Sequence, residues 1–213
     1  MIQPLARLLA ATAILLSASL SLAAQSQLTQ VHDSSALHPP AGARVAIVEF
    51  ADLECPKCAV DNPTLKAAAA QYHIPWLRHD FPLTIHHWSR QAAAYARWFD
   101  ASPKGKALGN EYRDAVFANQ SSIYNLGVLL NFTNSFARRN GLQLPFSLDP
   151  KFDAEVQADY ALGQRIGVDH TPTVWIVTEH SKGAPFIEVT DTSRLFQIID
   201  QALANTRTPV AHK

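Results

Sequence analysis

Two cysteines three positions apart, in Cys55-Pro56-Lys57-Cys58, constrain this chain more than any other feature, because they are its only cysteines and a strand-like run leads into them. That run, Arg44 to Phe50 (RVAIVEF), is short, apolar and rich in β-branched residues, as in a buried strand. The pair follows after a short turn, and from Pro56 onward the chain is rich in helix formers. A strand that turns into a helix here puts Cys55 at the helix N-terminus and Cys58 one turn further in. Thiols so placed close a small disulfide ring and reopen it by exchange with another protein. As a staple the same ring is poor, since so short a loop removes little entropy from the unfolded chain.

Residues 1–23 read as a secretory signal peptide: Arg7 is a lone positive charge, Leu8 to Leu22 is apolar or small, and Ser21-Leu22-Ala23 suits cleavage. The predicted mature chain begins near Ala24 or Gln25. As a membrane span the stretch falls short of about 20 apolar residues and is diluted by Ser17, Ser19 and Ser21. Nothing later approaches the roughly 18 uninterrupted apolar residues of a span, so no stable membrane insertion of the mature chain is expected. The expected location is periplasmic or secreted, where disulfides persist. With no third cysteine in the chain, the natural partner of the pair is a cysteine of another protein. Lys plus Arg balance Asp plus Glu at 18 each, which leaves no overall field to attract nucleic acid or an anionic bilayer, and neither is expected as a partner.

Residues 24–43 are polar, contain Pro39-Pro40, and are expected to be flexible. In the helix after Pro56, which includes Leu65 and the run Ala67 to Ala70, Pro63 is expected to introduce a kink or a restart. Ile74 to His79 reads as a second strand despite Pro75. From about Ile85 to Gly141 the periodicity is helical, in Ala92, Ala93, Ala96 and Phe99 and again in Leu126, Leu129, Leu130 and Phe136. A further helix is predicted from Phe152 to Ile166, ended by Gly167. Thr173 to Val177 and Phe186 to Val189 read as a hairpin turning at Lys182-Gly183. The last helix is placed at Ser193 to Leu203, capped by Asp191 or Thr192, with a frayed tail over 205–213. The domain thus runs over 44–204 with a helical insertion at about 85–166.

At this point the chain resembles a known family. Val45 to Cys58 (VAIVEFADLECPKC), His79 to Leu83 (HDFPL) and Gly167 to Val177 (GVDHTPTVWIV) look like a thiol:disulfide oxidoreductase of the DsbA type, within the thioredoxin-like fold superfamily. The likeness runs from roughly Arg44 to Leu203. The C-P-x-C motif alone is only moderately specific; with the strand before it, the Thr-Pro-Thr strand after it and the helical block between them, it is far more so. The resemblance implies an α/β protein with a thioredoxin-like fold and an inserted helical domain. It also implies an enzyme that needs no cofactor and exchanges its disulfide with the thiols of substrate proteins, as an oxidant of folding proteins. A reoxidising or reducing redox partner protein would close its cycle. A reductase or isomerase of the same fold is the neighbouring alternative. About 20 residues between the cleavage site and Arg44 are too few for an added dimerisation domain, so a monomer is expected.

Cys55 is the predicted nucleophile. Unpaired N–H groups and the dipole at a helix N-terminus favour its thiolate, which places its pKa in the range of about 3.5 to 7.5. Cys58 is the predicted resolving thiol. Pro56 has no N–H to donate and suits the first helical turn. Lys57 adds a nearby positive charge or simply faces solvent, whereas Glu54 opposes the thiolate if its carboxylate points at the sulfur. The resemblance further implies that Thr171-Pro172 is cis and that the backbone of Thr171 pairs with an extended substrate strand. His170 either lines the site or is an exposed loop histidine. The resemblance also implies that Glu49 stands where relatives can keep a buried acid beneath the resolving cysteine, able to exchange a proton with Cys58, with a rim carboxylate as the alternative. Trp88, Trp98 and Phe99 are expected in the core or beside a peptide groove.

Two other classes remain open on the residues alone. His86-His87 with the cysteine pair suggests metal binding or delivery, but a C-x-x-C supplies only half of a tetrahedral site and no second pair stands at customary spacing, so no metal is expected. A peptide-binding chaperone with incidental thiols is the third reading.

Overall fold

The structure, a computed structural model, describes residues 28–179 and 185–206. The signal segment, the Lys182-Gly183 turn and the tail beyond residue 206 lie outside the described residues. Strand β1 (Val45–Ala51) is buried at every position. It pairs in parallel with β2 (Trp76–Asp80) and antiparallel with β3 (Thr173–Thr178), which pairs in turn with β4 (Phe186–Glu188). The sheet order is β2-β1-β3-β4. A central strand covered on both faces must be apolar at consecutive positions, and this is why the run was legible as a strand.

The period of two sorts β1 between two layers. Val45 and Ile47 face Leu65 and Ala68 of helix α1 (Pro56–Tyr72) and Leu195, Ile199 and Ala202 of α6 (Leu195–Asn205). Ala46, Val48 and Phe50 face Phe81, Ile166, Val168 and Trp175. Glu49 falls in phase with Val45 and Ile47, on the side of α1. Helix α1 runs through Pro63 rather than restarting there. A proline inside a helix forfeits one hydrogen bond, typically about 3 kcal/mol, and burial of Leu65 and Ala68 on the sheet offsets it.

Between β2 and β3 lie α2 (Ser89–Asp100), α3 (Gly105–Ala118), α4 (Leu126–Arg139) and α5 (Pro150–Ile166), with a single 3-10 turn at Gln120–Ser122. Trp88, Phe99, Leu108, Tyr112, Val116, Leu129 and Phe136 form their common core, with Trp98 packed at its edge. Leu53, Cys55 and Cys58 belong to that same cluster. Asp149 caps α5 through the Lys151 N–H, and Gly167 ends it at φ 111°, a left-handed conformation that favours glycine. Helix α6 starts two residues after the predicted Ser193, because Thr192–Arg194 forms a 3-10 turn whose first N–H groups are held by Asp191.

The insertion is tied to the sheet by charge as well as packing. Arg113 of α3 reaches Asp80 at the end of β2 and Asp100 of α2, both at 3.2 Å. Arg97 bonds Asp80 at 2.7 Å and also pairs with Asp159 of α5. Burial works against the Asp80 carboxylate, yet Arg113 and Arg97 hold its pKa below the ordinary 3.8.

The stretch expected to be flexible is irregular over residues 28–43 but anchored. Leu37 is only 3% exposed, the Thr29 N–H and hydroxyl donate to the Glu188 carboxylate, and the His32 N–H donates to the Ile166 carbonyl. Its polar composition hid one well-buried leucine and two backbone donors with partners on distant elements. Among the described residues, no helix is long and apolar enough to cross a membrane.

Candidate functional site

Cys55 is the N-cap of α1, extended at φ −76° and ψ 120°, with Pro56 in the first helical turn. Proline there costs nothing, since that N–H has no partner within a helix. The residue is 7% exposed while Cys58 is fully buried. Both are free thiols. In its protonated form Cys55 donates to the Thr171 carbonyl at 3.3 Å, which brings the loop before β3 against the first sulfur. The Thr171-Pro172 peptide bond is cis.

The two sulfurs are driven apart in acidity. The Cys58 thiol donates to Cys55 and is the largest influence on it; burial opposes ionisation, and the N–H of Cys58, the Thr171 hydroxyl and the N–H of Lys57 assist it. Together they bring the Cys55 pKa from 9.0 to about 5. The Thr171 hydroxyl is buried and has no hydrogen-bond partner within ordinary geometry, so its influence on the sulfur is one of proximity. Cys58 moves the opposite way, well above 9.0, chiefly because burial penalises its thiolate, and further through its bond to Cys55 and the negative charges of Cys55 and Glu49. A low-pKa thiol with slight exposure and a high-pKa thiol wholly buried beneath it is the division of labour that a nucleophile and a resolving cysteine require.

Glu49 is fully buried. Its Oε2 accepts from the Trp76 indole N–H at 3.0 Å, and Oε1 has no hydrogen-bond partner. Burial raises its pKa above 4.5, against the opposing pull of Arg78 and Trp76.

Lys57 and Glu54 are both engaged away from the sulfur. The Lys57 ammonium sits on Asp61 one turn along α1, at 2.5 Å, so that Lys57 reaches Cys55 through its backbone N–H. Glu54 accepts from the N–H groups of Trp88 at 2.7 Å and Ser89 at 3.1 Å, capping α2. His170 is exposed, with its ring on Asp169 at 2.7 Å and its carbonyl accepting from the Thr173 hydroxyl. His86 bonds Asp52 at 2.8 Å. Among the described residues, no three or more His, Cys, Asp or Glu side chains gather as metal ligands do.

Two residues absent from the sequence reading organise the loop. Asp52, buried in the turn after β1, accepts from the N–H groups of Glu54 and Leu83, both at 2.7 Å, and from His86. Gln120, on the 3-10 turn, donates its amide to the carbonyls of Leu53 at 2.9 Å and Cys55 at 3.0 Å. Asp52 carried a weak local signal, since Asp often bonds the N–H two residues on; Gln120 carried none.

A thioredoxin-like sheet whose β2–β3 connection is a block of helices closing over a cysteine pair is the architecture of the DsbA type. The thioredoxin family model matches residues 40–194, and the chain belongs to that family. Among solved structures it is similar to Wolbachia pipientis α-DsbA1, at 17% identity and a TM-score of 0.63 over 79% of this chain and 90% of that one. It is also similar to Pseudomonas aeruginosa DsbA2, at 22% identity and a TM-score of 0.54 over 82% and 96%. Proteus mirabilis ScsC in a compact conformation matches at 17% identity and 0.60 over 80% and 74%. No curated protein matches the chain.

Proposed function

We propose that the protein is an exported thiol:disulfide oxidoreductase that oxidises the cysteines of substrate proteins, working as a monomer with a separate redox partner protein. The observation that carries this reading is the opposed acidity of Cys55 and Cys58 across one helical turn. In the oxidised enzyme a substrate thiolate attacks Cys55 Sγ, the Cys55–Cys58 bond breaks, and Cys58 leaves as a thiolate. Glu49 gives Cys58 a proton and regains it from solvent. A second substrate thiolate then attacks the substrate sulfur of the mixed disulfide and releases the Cys55 thiolate. The substrate thus loses two electrons to the cysteine pair, and the partner protein removes them. The extended substrate strand pairs with the backbone of Thr171 beside Pro172 during the exchange.

The direction follows from which form is stabilised. A thiol with pKa about 5 at pH 7 stabilises the reduced enzyme by about 3 kcal/mol, or roughly 60 mV of oxidising power for a two-electron couple. Glu54 and Lys57 leave this balance alone, since each is paired elsewhere. The deciding measurement is the reduction potential of the pair against glutathione, paired with oxidative refolding of a reduced substrate. A potential well above the glutathione poise with refolding lost in Cys55→Ser supports an oxidant. A potential well below that poise makes the protein a reductase, and refolding that persists in Cys55→Ser removes the redox reading.

A further inference from the structure

The buried acid beneath Cys58 is one end of a chain of polar groups that the thiol chemistry does not account for. Arg78 of β2 stands directly opposite Glu49 of β1 in the parallel register. A buried arginine facing a buried glutamate is ordinarily expected to make a forked, doubly hydrogen-bonded pair. Here the approach stops short. Arg78 Nε is 3.7 Å from Glu49 Oε2, and both Arg78 Nε and Glu49 Oε1 are buried without a hydrogen-bond partner. The rest of the guanidinium is turned toward the helices: Nη1 donates to Asp114 of α3 at 3.1 Å and Nη2 to the Asn62 side chain of α1 at 2.8 Å. The guanidinium lies over Trp76, 4.2 Å from the ring centre, with the Phe117 ring centre 5.8 Å away.

Asp114 is itself held. Asn62 donates to it at 3.1 Å and Lys66 of α1 at 2.7 Å. The charged and titratable groups around Glu49 are therefore Arg78 from β2, Cys58 and Asp61 from α1, and Asp114 from α3. Burial raises the Glu49 pKa most, Asp61 and Asp114 add to it, and Arg78 with the Trp76 indole opposes it.

We infer that Asp114, on the helical insertion and outside the cysteine site, is a positioning residue for the thiol chemistry: it holds the Arg78 guanidinium against α3, one hydrogen bond short of Glu49, and so keeps the Glu49 carboxyl free to exchange a proton with Cys58. A closed Glu49–Arg78 pair would fix Glu49 as a carboxylate and leave Cys58 without a proton donor when the Cys55–Cys58 bond opens. By sharing the arginine with the insertion, the fold keeps the cation near enough to make the buried acid tolerable and far enough to leave it titratable. This inference rests on the proposed proton exchange between Glu49 and Cys58.

The test is the titration of Glu49 itself, followed by carbon-detected NMR of side-chain carboxyls in the reduced full chain. Asp114→Asn keeps the shape of the residue but removes the charge that holds the guanidinium. The expected result is a fall of about one pH unit in the Glu49 midpoint, a tenfold change in its protonated-to-ionised ratio, with the same fall in the pH profile of Cys58-driven breakdown of a Cys55–glutathione mixed disulfide. Asp114→Glu should restore both. In an Arg78→Gln background, Asp114→Asn should leave only the smaller fall that loss of Asp114's own charge produces, because the carrier of the larger effect is gone. Lys66→Gln, a change at an exposed side chain, frees Asp114 to hold Arg78 more firmly and should move the midpoint upward. An unmoved Glu49 midpoint in Asp114→Asn overturns the inference, as does a shift of equal size with and without Arg78. Should Asp114→Asn fail to fold, an unmoved midpoint in Lys66→Gln overturns it. Failure of the redox reading looks different: the mixed disulfide then persists at every pH, wherever Glu49 titrates.

Discussion

The Gln120 side-chain amide donates to the Cys55 carbonyl at 3.0 Å, so that a residue of the helical insertion holds the backbone of the first cysteine. The same amide takes the Leu53 carbonyl. Gln120→Leu removes both donors from partly buried acceptors, at about 1 kcal/mol per lost bond. The expected outcome is a fall in melting temperature of several degrees, at about 2–4 °C per kcal/mol for a chain of this size, with faster alkylation of Cys55 by iodoacetamide. An unchanged alkylation rate would show that the loop keeps its place without the clamp.

The acidity of Cys55 makes the reduced protein's stability depend on pH, and the sign is fixed. Its folded pKa, about 5, lies below its ordinary 9.0, so the stabilisation is complete above 9.0 and lost as the pH falls through 5. The oxidised protein has no such group. The gap in unfolding free energy between the two forms should therefore widen from pH 4 to pH 9, with about 3 kcal/mol of it in place at pH 7. Urea titrations of each form at several pH values measure it. A gap independent of pH would mean that Cys55 is not an acidic thiol.

Lys57→Met should barely move the Cys55 thiolate titration, read from absorbance at 240 nm. The ammonium is already spent on Asp61, and the lysine acts on the sulfur through a backbone N–H that methionine also carries. A midpoint raised by a full pH unit would restore a direct role for the charge.

Arg113→Met leaves Asp80 and Asp100 without their shared partner. Breaking such a buried pair on one side typically costs about 3–5 kcal/mol. Since the Asp80 pKa is lowered, the tie is intact above 3.8 and lost as the pH falls further. Urea unfolding at pH 7 should show the full penalty, and the difference from the parent chain should shrink on acidification. An equal penalty at every pH would assign it to packing instead.

Glu54→Gln weakens the cap on the first N–H groups of α2. A loss of about 1 kcal/mol is expected, with the Cys55 titration unchanged. A shift in that titration would mean that the carboxylate does face the sulfur.

Much of this was written in the sequence where the signal is local. β1, apolar but for Glu49, and the Val174–Val177 centre of β3 are buried on both faces and so read as strands, and α5 carries its stop signal in Gly167. The cysteine pair needed only its spacing and the strand before it. What escaped was set by contacts distant in sequence. Gln120 meets Cys55 from 65 positions away, and the Glu49–Arg78 facing depends on a parallel register that no local pattern specifies. Leu37, irregularly spaced from Leu28 and Val31 in a mostly polar stretch, gave no periodicity to read. The Lys57–Asp61 pair is different, because opposite charges four apart on a helix are a local signal.

Cys55 and Cys58 lie in the apolar core of the insertion, and not in either layer beside the sheet. The helices are therefore also a shield. A thiolate as acidic as Cys55 is the kind of sulfur that peroxide converts to sulfenic and then irreversibly to sulfinic acid, and it shares its buried cluster with Trp88, Phe117 and Ile123 of the insertion. Irreversible inactivation by peroxide should thus follow the loosening of the helical block and precede any melting of the sheet. How long the Cys55 thiolate survives an oxidant is set by the insertion.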